Sequence, residues 1–80
     1  MYKIELSKES LKYLQKLDNP TREKVLEAIK SMPEGDIKKL TGSSYYRLRV
    51  GDFRIVFEKN NMLLKIQIIK IAPRGEVYKK

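Results

Sequence analysis

The chain contains no cysteine and no histidine. Their absence excludes disulfides, thiolate nucleophiles, histidine general bases and nearly every kind of zinc site. Any chemistry must therefore use Lys, Arg, Tyr, Asp, Glu, Ser or Thr.

The sequence also lacks an apolar run long enough to span a bilayer. Its first residues alternate polar and apolar side chains, unlike a signal peptide. We therefore expect a soluble, cytoplasmic protein without membrane contact. The length of 80 residues predicts a single domain over 1–80, one that buries roughly 60 to 65% of its unfolded surface.

Acidic residues are few compared with basic ones. The chain has 18 Lys and Arg against 10 Asp and Glu, a formal net charge of +8 at pH 7. Such a charge is expected of a protein that meets nucleic acid or an acidic partner. Charge alone does not establish that the protein binds nucleic acid or an acidic partner, because a basic charge can also serve only solubility.

The most informative stretch is residues 45–57, with the sequence YYRLRVGDFRIVF. Apolar and polar residues alternate on both sides of Gly51-Asp52, and a two-residue turn that begins with glycine joins antiparallel strands tightly. This turn predicts that one face of the hairpin packs on a core. The pairs on that face are Val50 with Phe53, Leu48 with Ile55, and Tyr46 with Phe57.

The other face of the hairpin is basic. Arg47 and Arg49 share it with Arg54, and the predicted register places Arg49 directly opposite Arg54. Like charges paired across strands destabilise a sheet. Crowded arginines without matching acids therefore predict a surface that binds an anion; a solvated strand face is the alternative.

A short strand and a helix are predicted at the N-terminus. Residues 2–6 alternate as a half-buried strand, and Ser7 resembles a helix cap. The helix is expected to end near Asp18, with an apolar stripe formed by Leu11, Leu14 and Leu17. Beside it lies a basic stripe of Lys8, Lys12 and Lys16, which we interpret as solvated helix surface, with RNA or rRNA contact as the alternative.

A second helix is predicted to begin at Asn19-Pro20, because asparagine caps helices and proline fits the first helical position. It is expected to end at residues 33–35, Pro-Glu-Gly. Its apolar face consists of Val25, Ala28, Ile29 and Met32. The two helices are expected to form an antiparallel hairpin.

Residues 36–44 are predicted to be a connector. After the arginine hairpin, Asn60-Asn61 predicts a second tight turn, followed by a third strand. In the continued register Leu64 faces Phe57 on the core side. The remaining expected pairs are Ile66 with Ile55, Ile68 with Phe53, Lys65 with Val56, and Gln67 with Arg54.

Beyond Ile68 the alternation reverses its sense, since Ile69 and Ile71 are apolar where the basic face should continue. A bulge, or cover by the C-terminal tail, would explain the reversal. The complete order predicts an α+β fold: an N-terminal strand, a two-helix hairpin and a three-stranded antiparallel meander, with the helices on one face of the sheet.

The hairpin YYRLRVGDFRIVFE, the strand after it and the terminal segment IAPRGEVYKK together resemble the RelE/ParE superfamily of toxin–antitoxin toxins. The match is specifically to its RelE-like, ribosome-dependent mRNA endonucleases, and it covers essentially the whole chain. The resemblance implies a RelE-like, microbial-RNase-like fold and metal-independent cleavage of mRNA in the ribosomal A site. It also implies an antitoxin partner that wraps the toxin, with a toxin–antitoxin heterotetramer as one arrangement.

The resemblance further implies the residues of the site. The catalytic set carried over from the family is Arg47, Arg49, Arg54, Arg74 and Tyr78. Lys65 and Tyr45 are expected to bind the substrate.

Metal-free RNA cleavage requires activation of a ribose 2′-OH, stabilisation of a dianionic transition state and protonation of the leaving 5′ oxygen. Arginines suit the charge stabilisation, because their planar donors match phosphate oxygens in pairs. Tyr78 is the candidate base, since nearby cations would lower the pKa of its hydroxyl, and Glu76 is the alternative. Arg74 or Lys65 would supply the leaving-group proton.

Two other functions compete with the endoribonuclease. A ParE-type toxin inhibits DNA gyrase and needs no catalytic residues. A catalytically inactive RelE homologue would serve as a module that binds RNA or titrates an antitoxin. At single positions, Arg74 pairing with Glu76 and Tyr78 packing on the last strand are the structural alternatives.

Overall fold

The computed structural model describes residues 2–32 and 34–73. Within them the chain forms two helices and one five-stranded sheet, which confirms the predicted α+β class. The elements are β1 (Lys3–Leu6), α1 (Lys8–Lys16), α2 (Asn19–Lys30), β2 (Asp36–Lys39), β3 (Tyr45–Val50), β4 (Phe53–Asn60) and β5 (Lys65–Pro73).

The sheet has the order β1-β5-β4-β3-β2. β1 runs parallel to β5, and the other neighbours are antiparallel. Because β1 and β2 are the two edges, the helices between them cross the sheet and cover one face. Leu14, Val25 and Ile29 from the helices pack in one cluster with the sheet residues Leu48, Ile55, Phe57, Ile66, Ile68 and Ile71.

Most of the predicted helix faces are confirmed. Val25 and Ile29 of α2 are buried, as is Met32 just after the helix, and Lys8, Lys12 and Lys16 of α1 are exposed. Leu11 is an exception, because it is exposed while Ser10 is completely buried. The face of α1 toward the core consists of buried Ser10 and Leu14 with half-buried Tyr13, followed by Leu17 at the C-cap, so Leu14 and Leu17 are confirmed and only Leu11 is wrong.

The junction between the helices differs by one residue from the prediction. Asp18, not Asn19, caps α2, and its carboxylate accepts the backbone N–H of Thr21 at 3.4 Å. The guanidinium of Arg22 then donates to the carbonyl oxygens of Leu14 (2.9 Å) and Leu17 (2.7 Å). The end of a helix leaves carbonyls without regular helical partners, and these bonds add to the one that the Leu14 carbonyl accepts from the N–H of Leu17 at 3.1 Å. An arginine of α2 thus holds the C-terminal end of α1.

Residues 36–39 form a strand, so the prediction of a connector over 36–44 is wrong in its first half. β2 pairs with β3, with Ile37 opposite Leu48. Ile37 packs against the core, whereas the other three residues of this edge strand are exposed. Four residues with one apolar side chain give too short an alternation to be read as a strand. Lysines on such an edge also discourage pairing with other chains.

The register of the arginine hairpin is confirmed pair by pair. Val50 lies opposite Phe53, Leu48 opposite Ile55, and Tyr46 opposite Phe57. Gly51 has a φ of 55°, which the two-residue turn demands and which a residue with a Cβ adopts only at a cost.

The predicted register of the last strand is wrong. β4 extends to Asn60, residues 61–64 form the loop, and Phe57 pairs with Ile68 instead of Leu64. The side chain of Asn60 accepts the N–H of Leu63 at 2.9 Å, and Leu64 adopts a left-handed φ of 51°. A loop twice the predicted length therefore displaces every pair in β5 by several residues.

A β-bulge accounts for the reversed alternation. Phe57 pairs with Ile68 but Val56 pairs with Lys70, which leaves Ile69 as an extra residue. This confirms the first of the two predicted explanations. Ile68 and Ile71 both reach the core as a result.

Within residues 2–32 and 34–73, neither helix has the length and apolar composition of a membrane-spanning segment.

Candidate anion-binding groove

The predicted basic face exists and lies opposite the helices. Arg47 and Arg49 of β3 alternate with buried Leu48 and Val50, so their side chains share the open face of the sheet. Arg49 is directly opposite Arg54, as predicted. Since strand alternation and a tight turn are local properties, this part of the site follows from the sequence.

Arg47 is the most unusual residue of the site. Its side chain is only 5% exposed, and its Nε and Nη1 atoms are buried without a hydrogen-bond partner among the described residues. A buried guanidinium N–H that bonds to nothing costs free energy, because it has lost water and gained no acceptor. An anion with two oxygen acceptors would satisfy both atoms in the geometry that arginine favours.

Arg47 lines an open groove with a volume of about 740 Å³. The register aligns Lys38 of β2 opposite Arg47, Arg47 opposite Val56, and Val56 opposite Lys70 of β5. All four side chains line the groove. The row therefore runs Lys38, Arg47, Val56, Lys70, with a lysine at each end and the buried arginine next to Lys38.

Lys65 lies outside this row. It pairs with Asn60 instead of Val56, and its Nζ is 3.2 Å from Oε1 of Glu5 in β1. Lys70 occupies the place that the predicted register assigns to Lys65. At about 3.3 Å per residue the two lysines are roughly 16 Å apart along the strand, so the groove and Lys65 are separate.

Arg49 has an acidic partner that the sequence did not reveal. Its Nε lies 3.7 Å from Oδ2 of Asp36, with both side chains exposed. The expectation that no acid matches the arginines is therefore wrong at this position, because Asp36 belongs to the strand that was read as a connector. An exposed pair of this kind contributes little to stability and leaves the guanidinium accessible.

Tyr45 also lines the groove and is exposed. Its backbone N–H donates to the hydroxyl of Ser43 at 2.8 Å, which orders the turn before β3. Arg54 is half-buried and pairs with Ala72 of β5. Arg74, Glu76 and Tyr78 lie outside the described residues.

Lys38 and Lys70 are groove residues that the sequence analysis missed. Lys38 belongs to the short edge strand, and Lys70 reaches the open face only because of the bulge at Ile69. The reversed alternation after Ile68 was the one signal that could have identified Lys70. Within the described residues, no group of three or more Asp or Glu side chains converges as metal ligands would.

These features define a small α+β protein with a cationic groove across the open face of its sheet. Its fold is that of solved RelE structures. The chain resembles one chain of the archaeal RelE–RelB complex from Pyrococcus horikoshii OT3, with a TM-score of 0.79 and 29% identity over 94% of this chain and 97% of that chain. For the RelB–RelE complex from Methanococcus jannaschii the TM-score is 0.73 and the identity 27%, over 92% and 94%.

The isolated E. coli RelE toxin shares the fold at 22% identity, with a TM-score of 0.69 over 98% of this chain and 92% of that one. No protein-family model and no curated protein matches the sequence significantly. The structural comparisons confirm the resemblance stated from the sequence: the chain is RelE-like, similar to the toxins of toxin–antitoxin systems.

Proposed function

We propose that this chain is the toxin of a type II toxin–antitoxin system and a ribosome-dependent endoribonuclease. It would cleave mRNA in the ribosomal A site without a metal, by attack of a ribose 2′-OH on the adjacent phosphate, and so inhibit translation in the cytoplasm. The observation that carries the proposal is the buried guanidinium of Arg47, with two unbonded nitrogen atoms in a basic groove.

The chemistry follows from the charge of the reacting phosphate. In-line attack makes the phosphate dianionic, and donors already oriented toward it stabilise that charge without further reorganisation. Arg47 would bind two of its oxygens, because a fork of guanidinium donors matches a phosphate edge. Arg49 and Arg54, which face each other across β3 and β4 next to the Arg47–Val56 pair, would add positive charge on the same face.

Proton transfer is assigned to residues carried over from the family resemblance. Tyr78 would accept the proton of the 2′-OH, with Glu76 as the alternative base, and Arg74 would support the leaving oxygen. Lys65 is a weaker candidate for the last role, since it pairs with Glu5 away from the groove. A tyrosine base without histidine is a poor catalyst unless the substrate is held in line, which suits dependence on the ribosome.

The proposed partners are the ribosome with its mRNA and a cognate antitoxin. Solved RelE chains similar to this one occur in complexes with RelB. The formal net charge of +8 favours an antitoxin that is acidic where it covers the groove.

The test is primer extension on a defined mRNA, incubated with purified protein in the presence or absence of ribosomes stalled with an empty A site. We expect discrete A-site cuts only with ribosomes. Arg47→Ala should reduce the cleavage rate about 10²- to 10³-fold, as for loss of one oriented donor. Lys12→Ala, which removes one exposed charge from α1, is the control and should cleave normally.

Tyr78→Phe tests the assignment of the base and should abolish most cleavage while leaving antitoxin binding intact. No cuts under any condition would refute the nuclease and favour gyrase inhibition or an inactive homologue. Cuts on free RNA alone would indicate a ribonuclease that does not need the ribosome.

A further inference from the structure

The direction of Lys70 is set by the bulge in β5. Ile66 and Ile68 are completely buried, so in a regular strand the residue two positions further on would share the buried face. The extra residue, Ile69, instead places Lys70 opposite Val56 on the open face and returns Ile71 to the core. Bulges commonly redirect a side chain in this way.

The bulge is held in place by the cap of α1. The backbone N–H of Ser7 donates to the carbonyl of Ile68 at 3.0 Å, and its hydroxyl donates to the carbonyl of Ile69 at 2.9 Å. The same hydroxyl oxygen accepts the N–H of Ser10 at 3.1 Å. A backbone carbonyl at the irregular position is therefore satisfied by the helix cap, and the orientation of Lys70 is part of the packed structure.

Lys70 lies in the same groove as Arg47, two strands away on the open face of the sheet. The two residues flank Val56 in the same row and line the same groove. At about 4.8 Å between strands their Cα atoms are roughly 10 Å apart, within the combined reach of two long side chains. Lys70 is exposed and makes no ion pair with the described residues.

We propose that Lys70 is a further substrate-binding residue, which contacts a phosphate next to the one held by Arg47 in single-stranded RNA. This inference rests on the proposed function, because it takes RNA as the ligand of the groove. A lysine suits the role: its flexible ammonium follows a neighbouring phosphate as a point charge, whereas the buried arginine orients the reacting one. Lys70 would thus strengthen binding without taking part in proton transfer.

The experiment measures binding of a fluorescein-labelled, mixed-sequence single-stranded RNA 12-mer by anisotropy over a range of NaCl concentrations. Each phosphate contact contributes about 0.7 to the slope of log affinity against log salt for single strands. Lys70→Ala should therefore lower the slope by about 0.7 and weaken binding about 3- to 10-fold at low salt. Lys70→Arg should restore both.

Lys12→Ala is the matched control, since it removes the same charge from the helical layer on the other side of the sheet. It should leave the slope within error of the wild type. Equal effects of Lys70→Ala and Lys12→Ala would overturn the inference, as would failure of the wild-type protein to bind the RNA. If the salt dependence of RNA affinity depended on Lys70 but ribosomes gave no cleavage, the proposed endoribonuclease activity would be refuted. The RNA-binding role of Lys70 would still hold.

Discussion

Arg47→Met should make the protein more stable while removing its proposed activity. Arg47 is only 5% exposed, and two nitrogen atoms of its guanidinium, Nε and Nη1, are buried without a hydrogen-bond partner among the described residues. Methionine keeps most of the apolar stem that packs beneath the groove and removes the unsatisfied donors. Under the proposed function, the unsatisfied donors of Arg47 lower the stability of the fold and leave the side chain oriented to bind an anion.

The expected gain follows from the cost of such donors. A buried, unsatisfied polar group costs about 1 to 3 kcal/mol, and the two atoms share one side chain, so we expect the free energy of unfolding to rise by about 1 to 3 kcal/mol in total. For a chain of 80 residues this corresponds to an increase in Tm of about 4 °C or more. Urea unfolding followed by circular dichroism at pH 7 measures the change, provided the m-value stays constant.

Arg49→Met is the matched control, because Arg49 is the neighbouring arginine of the same strand and face but is exposed and paired with Asp36. It should change the free energy of unfolding by less than about 1 kcal/mol. If Arg47→Met were no more stable than Arg49→Met, or less stable than the wild type, the argument that Arg47 is held in an unsatisfied state would be refuted.

Three further predictions concern parts of the fold away from the groove. Arg22→Lys should lower the free energy of unfolding by about 1 to 2 kcal/mol in urea titrations, because a single ammonium cannot reach the carbonyls at the end of α1 that the guanidinium bonds together; an unchanged value would contradict this. Leu64→Asn should raise the free energy of unfolding by about 0.5 to 1 kcal/mol, since asparagine tolerates the left-handed φ of 51° better than leucine. Leu63→Asn in the same exposed loop should leave the free energy of unfolding without such a gain. Hydrogen bonds from Thr21 hold the pKa of Asp18 below its ordinary value, so the stability that Asp18 contributes is complete above about pH 4 and is lost as the pH falls through the lowered pKa. Asp18→Asn keeps a capping side chain but cannot titrate, and identical stability-against-pH curves from pH 6 to pH 3 for both proteins would show that this effect is absent.

The arginine hairpin could be predicted in detail because its information is local. Two strands joined by two residues have one register that the turn allows, and the alternation of apolar side chains agrees with it. The presence of Arg47, Arg49 and Arg54 on one face followed directly. The α+β class followed from the order of strand and helix patterns, which a small core can satisfy in few ways.

The last strand could not be placed in the same way. The alternation of Leu64, Ile66 and Ile68 suits a register shifted from the observed one, and the choice depends on how residues 61–64 close the loop. Asn60 decides it through a side-chain hydrogen bond, which no pattern of apolar residues reveals. This single error moved Lys65 into the predicted site and left Lys70 out of it.

By itself, the sequence determined the fold class, the hairpin register and the basic character of one sheet face, since these depend on neighbouring residues and on alternation along a strand. The tertiary structure decided that Arg47 is buried, that Asp36 pairs with Arg49, and that Lys38 and Lys70 flank the groove. Those properties arise where distant segments meet: an edge strand of four residues, and a bulge held by the cap of a helix. Which residues are buried or paired at such contacts depends on how all segments of the chain pack together. Local sequence patterns do not contain that information.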